Sequence, residues 1–170
     1  AAGAAPSVWS PKPSDFLTGE KAAILLKKLK LPPLQSTEAL LFHGTTPEAA
    51  RAIAVGRFQL SKAKPEGLGG AGFYFAESCT KSDEYTKAGE DGRHAMLLVR
   101  VFLGRVLCHS DKIVDRASLL QAVKDQGCHS VLLDRAQAVN TYREFVIYDP
   151  KQCVPHFIVW YRPVERPGKA

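Results

Sequence analysis

Apolar residues fall in short bursts along this chain, and their spacing separates helix from strand. Over residues 18–30, Ala22, Leu25, Leu26 and Leu29 recur at i, i+3, i+4 and i+7, the stripe of an amphipathic helix, which Pro32-Pro33 stops. Lys21, Lys27, Lys28 and Lys30 then form its solvated face. Ala39-Leu40-Leu41-Phe42-His43 is a compact apolar run suited to a buried strand. Thr46-Pro47-Glu48 supplies a cap, a proline at the first helical position and an acid in the first turn, so a helix is predicted through Ile53 to a stop at Gly56. A polar, glycine-rich loop over residues 61–70 leads into the β-prone Phe73-Tyr74-Phe75-Ala76, and a short helix fits residues 80–87. Residues 96–108 form the longest strand candidate, interrupted by Gly104. A helix over 117–124 and strands over 130–133, 144–148 and 157–161 complete the pattern. Residues 1–17, with Pro6, Pro11 and Pro13 and no periodicity, read as an irregular leader.

Helices come early and strands cluster late, without a regular βαβ alternation, so the class is α+β with largely antiparallel sheets. At 170 residues the chain fits one domain, and an apolar fraction of 45% with 24% charged residues is that of an ordinary globular protein. The absence of an initiator Met is consistent with a piece of a longer protein, and neither a signal peptide nor a membrane-spanning run is present, so an intracellular site, cytoplasmic or nuclear, is expected. A net charge of +6 suits an anionic ligand; it admits nucleic acid, but no basic-aromatic motif accompanies it. Cys79, Cys108, Cys128 and Cys153 form no C-x-x-C pair, so free thiols are expected and a zinc site is not.

Gly67-Leu68-Gly69-Gly70-Ala71-Gly72 matches G-x-G-x-x-G letter for letter. The dinucleotide-binding use of that motif needs a strand before it and a helix N-terminus after it. Here a polar segment precedes and a strand follows, which excludes a Rossmann fold. What remains is a flexible loop whose backbone either approaches a ligand closely or is only a mobile connection.

Three separated segments carry chemistry. His43-Gly44-Thr45 ends a buried strand; Gly72-Phe73-Tyr74-Phe75-Ala76 is followed by Lys81-Ser82-Asp83-Glu84-Tyr85; and Tyr142-Arg143-Glu144-Phe145-Val146-Ile147-Tyr148 opens a late strand. In this order and spacing they resemble the diphtheria-toxin-like ADP-ribosyltransferases, specifically the poly(ADP-ribose) polymerase family, over roughly residues 36 to 162. The resemblance implies the ADP-ribosyltransferase fold, two largely antiparallel sheets with flanking helices in a split β-sandwich around an NAD cleft. It implies a leader plus helix over 1–35, a catalytic domain over 36–163 and a basic tail over 164–170. The family's autoinhibitory helical subdomain is not expected in these residues. Residues 57–72 contain no Cys or His, so no metal is expected near the loop. By the same resemblance residues 61–70 would be a mobile lid over the adenosine side, with a rigid connector as the rival.

The implied activity is cleavage of NAD at the nicotinamide–ribose bond and transfer of ADP-ribose to an acceptor, a protein in the first instance. Breaking that bond builds oxocarbenium-like positive charge on the ribose and calls for a nearby carboxylate. By resemblance Glu144 supplies it, holding the 2′-hydroxyl of the nicotinamide ribose, and His43, Tyr74 and Glu144 form the catalytic set. Nicotinamide would stack on Tyr85, with Tyr74 as the other wall, while Gly44 backbone and the Ser82 hydroxyl take its carboxamide. His43 would bond ribose hydroxyls, Thr45 would lie near the adenosine ribose and Arg57 would reach the pyrophosphate. Mono- and poly-ADP-ribosylation both stay open, as do an NAD glycohydrolase, an RNA end-modifying transferase and a non-catalytic NAD- or ADP-ribose-binding module.

Overall fold

A computed structural model describes residues 6–63 and 65–164; of the basic tail expected over 164–170, all but Val164 lies outside the described residues. Two sheet lobes meet at one point. Strands β1 (Ser7–Trp9), β2 (Glu38–Thr45), β3 (Phe73–Ala76), β4 (His94–Phe102), β5 (Val106–His109), β6 (Ser130–Asp134), β7 (Arg143–Ile147) and β8 (Cys153–Tyr161) run in the order β1-β5-β6-β7-β3-β2-β4-β8. All neighbours are antiparallel except β5 and β6. The two expected antiparallel layers are therefore joined edge to edge, and the join is the single register pair Phe42↔Ala76. Past Phe42, β2 stays laddered to β4 through Thr45 but parts from β3.

Helix α1 (Gly19–Lys28) buries Ala22 and Leu26, with Ala22 packed against Leu40 and Leu98, and the Thr18 hydroxyl donates to the Leu40 carbonyl. Helix α2 (Pro47–Gly56) starts as the sequence dictates, with the Thr46 hydroxyl accepting from the Ala49 amide at 3.2 Å. Helix α3 (Cys79–Asp83) is shorter than predicted, α4 (Arg116–Asp125) covers β5 and β6 through Leu119, and α5 (Arg135–Val139) fills the polar link into β7. The main core, with Leu41, Phe58, Phe73, Phe75, Leu97, Phe145 and Ile147, lies on one face of the β3–β7 pair; Tyr74 and Val146 face a second cluster on the other.

The leader departs from its expected irregularity. Residues 7–9 form β1 on the edge of β5, and Trp9 and Phe16 pack into the main core. A three-residue strand has no periodicity to read, and pairing with a partner far along the chain decides it.

Candidate active site

The site lies where β2 and β3 part. His43 follows the joining pair, and its Nδ1 bonds the Tyr74 carbonyl at 2.8 Å across the opening. A carbonyl only accepts, so Nδ1 carries the proton and Nε2 presents its lone pair. Phe58 meets the ring edge-on with centroids 5.1 Å apart, and Phe75 lies 5.4 Å away. Burial among these rings pushes the His43 pKa below its ordinary value, although the bond to Tyr74 pulls the other way, so the imidazole is neutral at pH 7.

Gly44 is fixed by a close approach: a Cβ there would collide with the Ser82 carbonyl oxygen. That approach seats α3 against β2 and places Ser82, only 3% exposed, beside the strand. The Ser82 hydroxyl has no hydrogen-bond partner among the described residues. Thr45 ends β2, paired with Ala95.

Side chains alternate across a strand, and Ala76 pairs with Glu144, so Tyr74 and Glu144 share one face of the β3–β7 pair. Glu144 is 7% exposed, accepts from the Tyr85 hydroxyl at 3.2 Å and has the Lys81 ammonium 3.8 Å away. Tyr85 is 54% exposed, leaving aromatic surface open to a ligand, with Lys81 5.0 Å from the ring centre. Partial burial pushes the Tyr85 pKa up, so its hydroxyl stays protonated and donates. Desolvation alone would pull the Lys81 pKa down, but the hydrogen bond to Glu84 at 2.7 Å and the charge of Glu144 carry it upward, and Lys81 is cationic at neutral pH. Lys81 received no role from the sequence, although Glu84 and Tyr85 at i+3 and i+4 are the helical spacing that brings the three together.

Tyr74 has a second attachment. Its hydroxyl accepts from the Gly69 amide at 2.9 Å and donates to the Gly70 carbonyl at 2.8 Å, while the Tyr148 hydroxyl donates to the Gly69 carbonyl at 2.9 Å. This corrects the reading of residues 61–70 as a mobile lid: Gly69 and Gly70 are buried and pinned by two tyrosines, and of the described residues ahead of them Ala63 and Gly67 are half-buried and the others exposed.

Arg57 is the residue least drawn in. It caps α2 with φ 63°, is exposed, and its guanidinium has no hydrogen bond or ion pair among the described residues; its neighbour Phe58 is the one that packs on His43. Among the described residues no group of three or more His, Cys, Asp or Glu side chains is placed to hold a metal, and no helix is long and apolar enough to cross a membrane.

A family model described as the poly(ADP-ribose) polymerase catalytic domain matches residues 19–163. The chain is 27% identical over 133 residues to the human protein mono-ADP-ribosyltransferase PARP12; the match takes in 77% of this chain and 18% of that relative.

Proposed function

This chain belongs to the poly(ADP-ribose) polymerase catalytic-domain family, an NAD-dependent ADP-ribosyltransferase family, and from that premise we propose that the cleft between β2 and β3 binds NAD and that Glu144 directs transfer of ADP-ribose to a protein acceptor. The observation that carries the proposal is Glu144 itself, a carboxylate almost withdrawn from water on the same face as Tyr74, with the Tyr85 hydroxyl and the Lys81 ammonium fixing it. A carboxylate so held cannot reorient as charge develops, and out of water its field on a forming oxocarbenium ion is stronger. In this reading the same group holds a ribose hydroxyl and draws a proton from the incoming acceptor.

The surrounding residues divide the rest of NAD. The open Tyr85 ring stacks nicotinamide, Tyr74 walls the other side, and the Ser82 hydroxyl and Gly44 backbone take the carboxamide. Neutral His43 accepts from a ribose hydroxyl through Nε2, which its bond to Tyr74 leaves free. Thr45 and Arg57 serve the adenosine ribose and pyrophosphate. Mono-transfer is favoured, as the PARP12 name describes for that protein.

Incubation with NAD labelled in its adenylate half, with acceptor protein present, tests this. Label on protein at the mass of one ADP-ribose is expected. A ladder of added units would replace mono- by poly-transfer, and nicotinamide release with unlabelled protein would make water the acceptor.

A further inference from the structure

The two residues that flank Glu144 point away from the cleft, and the leader holds both. Strand alternation puts Arg143 and Phe145 on the face opposite Glu144, where Glu77, next after Ala76, lies across from Arg143. The Arg143 guanidinium forks around one oxygen of Glu77, its Nε donating to Oε1 at 2.6 Å with Nη2 paired to the same Oε1, and Nη2 also donates to the Asp15 carbonyl at 3.2 Å. The second oxygen of Glu77, a residue 5% exposed, accepts from the Leu17 amide at 2.6 Å. Trp9 lies 5.9 Å from the same guanidinium and 5.8 Å from the Phe16 ring, and Phe16 lies 5.7 Å from the Phe145 ring. The leader residues in this set, Trp9 to Leu17, all precede the segment matched by the family model, which begins at Gly19.

From this geometry we propose that the leader is a positioning element for Glu144, acting through the Glu77–Arg143 fork. Glu77 belongs to the strand end that faces Glu144 across the ladder, and Arg143 is covalently next to it. With both held from behind, β7 cannot slide or tilt against β3, and the carboxylate stays directed into the cleft. Two guanidinium nitrogens closing on one carboxylate oxygen, while the Leu17 amide holds the other, fix the orientation of both side chains, which the single nitrogen of a lysine would not do. Arg143 and Glu77 touch no substrate; they are positioning residues, and the role rests on the reading of Glu144 given above.

The experiment is a cycle in the full 170-residue chain. Replacing the pair together, Glu77→Met with Arg143→Met, removes the fork without leaving a lone buried charge, a change that cores commonly tolerate. This variant is expected to turn NAD over roughly 10- to 100-fold more slowly, the range for a modest misplacement of a reacting group. Its affinity for benzamide, a probe of the nicotinamide pocket, should be unchanged. In a Glu144→Gln background the same pair should cost almost nothing further, because the fork acts through the carboxylate already lost. Should the Met pair not fold, as read from its thermal transition, Arg143→Lys carries the same cycle, keeping the charge and losing the fork. A folded variant with full turnover, or a loss that multiplies unchanged in the Glu144→Gln background, would overturn the positioning role alone. Near-normal turnover by Glu144→Gln itself would instead overturn the reading of Glu144, and this role with it.

Discussion

At the residue scale, His43 shows how one environment sets both stability and chemistry. Its folded pKa lies below the ordinary 6.5 because burial disfavours the imidazolium. The unfolded chain therefore binds more protons than the folded one as pH falls through that value, and stability must rise with pH up to about 6.5 and level off above it. Thermal unfolding from pH 5 to 8 should show that slope, and His43→Gln should flatten it in part; His156, also pushed down by burial, keeps the remainder. An unchanged slope in His43→Gln would mean that His43 is not held neutral by the fold. Lys81 illustrates a different balance. Its pair with the exposed Glu84 adds at most about 1 kcal/mol to stability, so its value lies in the charge it keeps beside Glu144.

At the scale of elements, residues 61–70 reverse an expectation. Three glycines with little to bury predict mobility, but Tyr74 and Tyr148 supply the missing partners from flanking strands. The Gly69 amide should exchange slowly in the free protein while residues 65–68 exchange fast, and Tyr74→Phe should release it. Gly70 sits at φ +82°, where any side chain costs about 1–2 kcal/mol, and a Cβ on Gly69 would press within 2.9 Å of Val146. Alanine at either position should therefore lower thermal stability, contrary to the behaviour of a loose lid. Elements with their own periodicity or caps, such as α1, α2, β3 and α4, were legible in the sequence. Those made by a distant partner, β1 above all, were not. The site divides the same way. His43, Tyr74, Ser82, Tyr85 and Glu144 sit in contiguous motifs, whereas Glu77 and Arg143, 66 residues apart, acquire meaning only when the β3–β7 register joins them.

At the scale of the whole molecule, the cleft exists because two laddered lobes share one register pair and then diverge. One lobe, with β2, β4 and β8, brings His43, Gly44 and Thr45; the other, with β3 and β7, brings Tyr74 and Glu144; α3 bridges them with Lys81 and Ser82, and Tyr85 follows at its end. The sequence supported the antiparallel class and the motifs but not the edge-to-edge join, because the parting of two strands leaves no mark on the periodicity of either. The chain spans about a fifth of the length of the human relative it matches. On the proposed reading Glu144 bonds a ribose hydroxyl of NAD but contributes far more to transfer than to NAD affinity. Glu144→Gln, compared with the unaltered chain for NAD binding and for ADP-ribose transfer in the same preparation, tests it most directly. Affinity close to that of the unaltered chain with transfer slowed about 10²–10³-fold is the predicted result, the usual loss of one electrostatic partner of a transition state. Transfer at near-normal rate, or a loss explained wholly by weaker NAD binding, would contradict it.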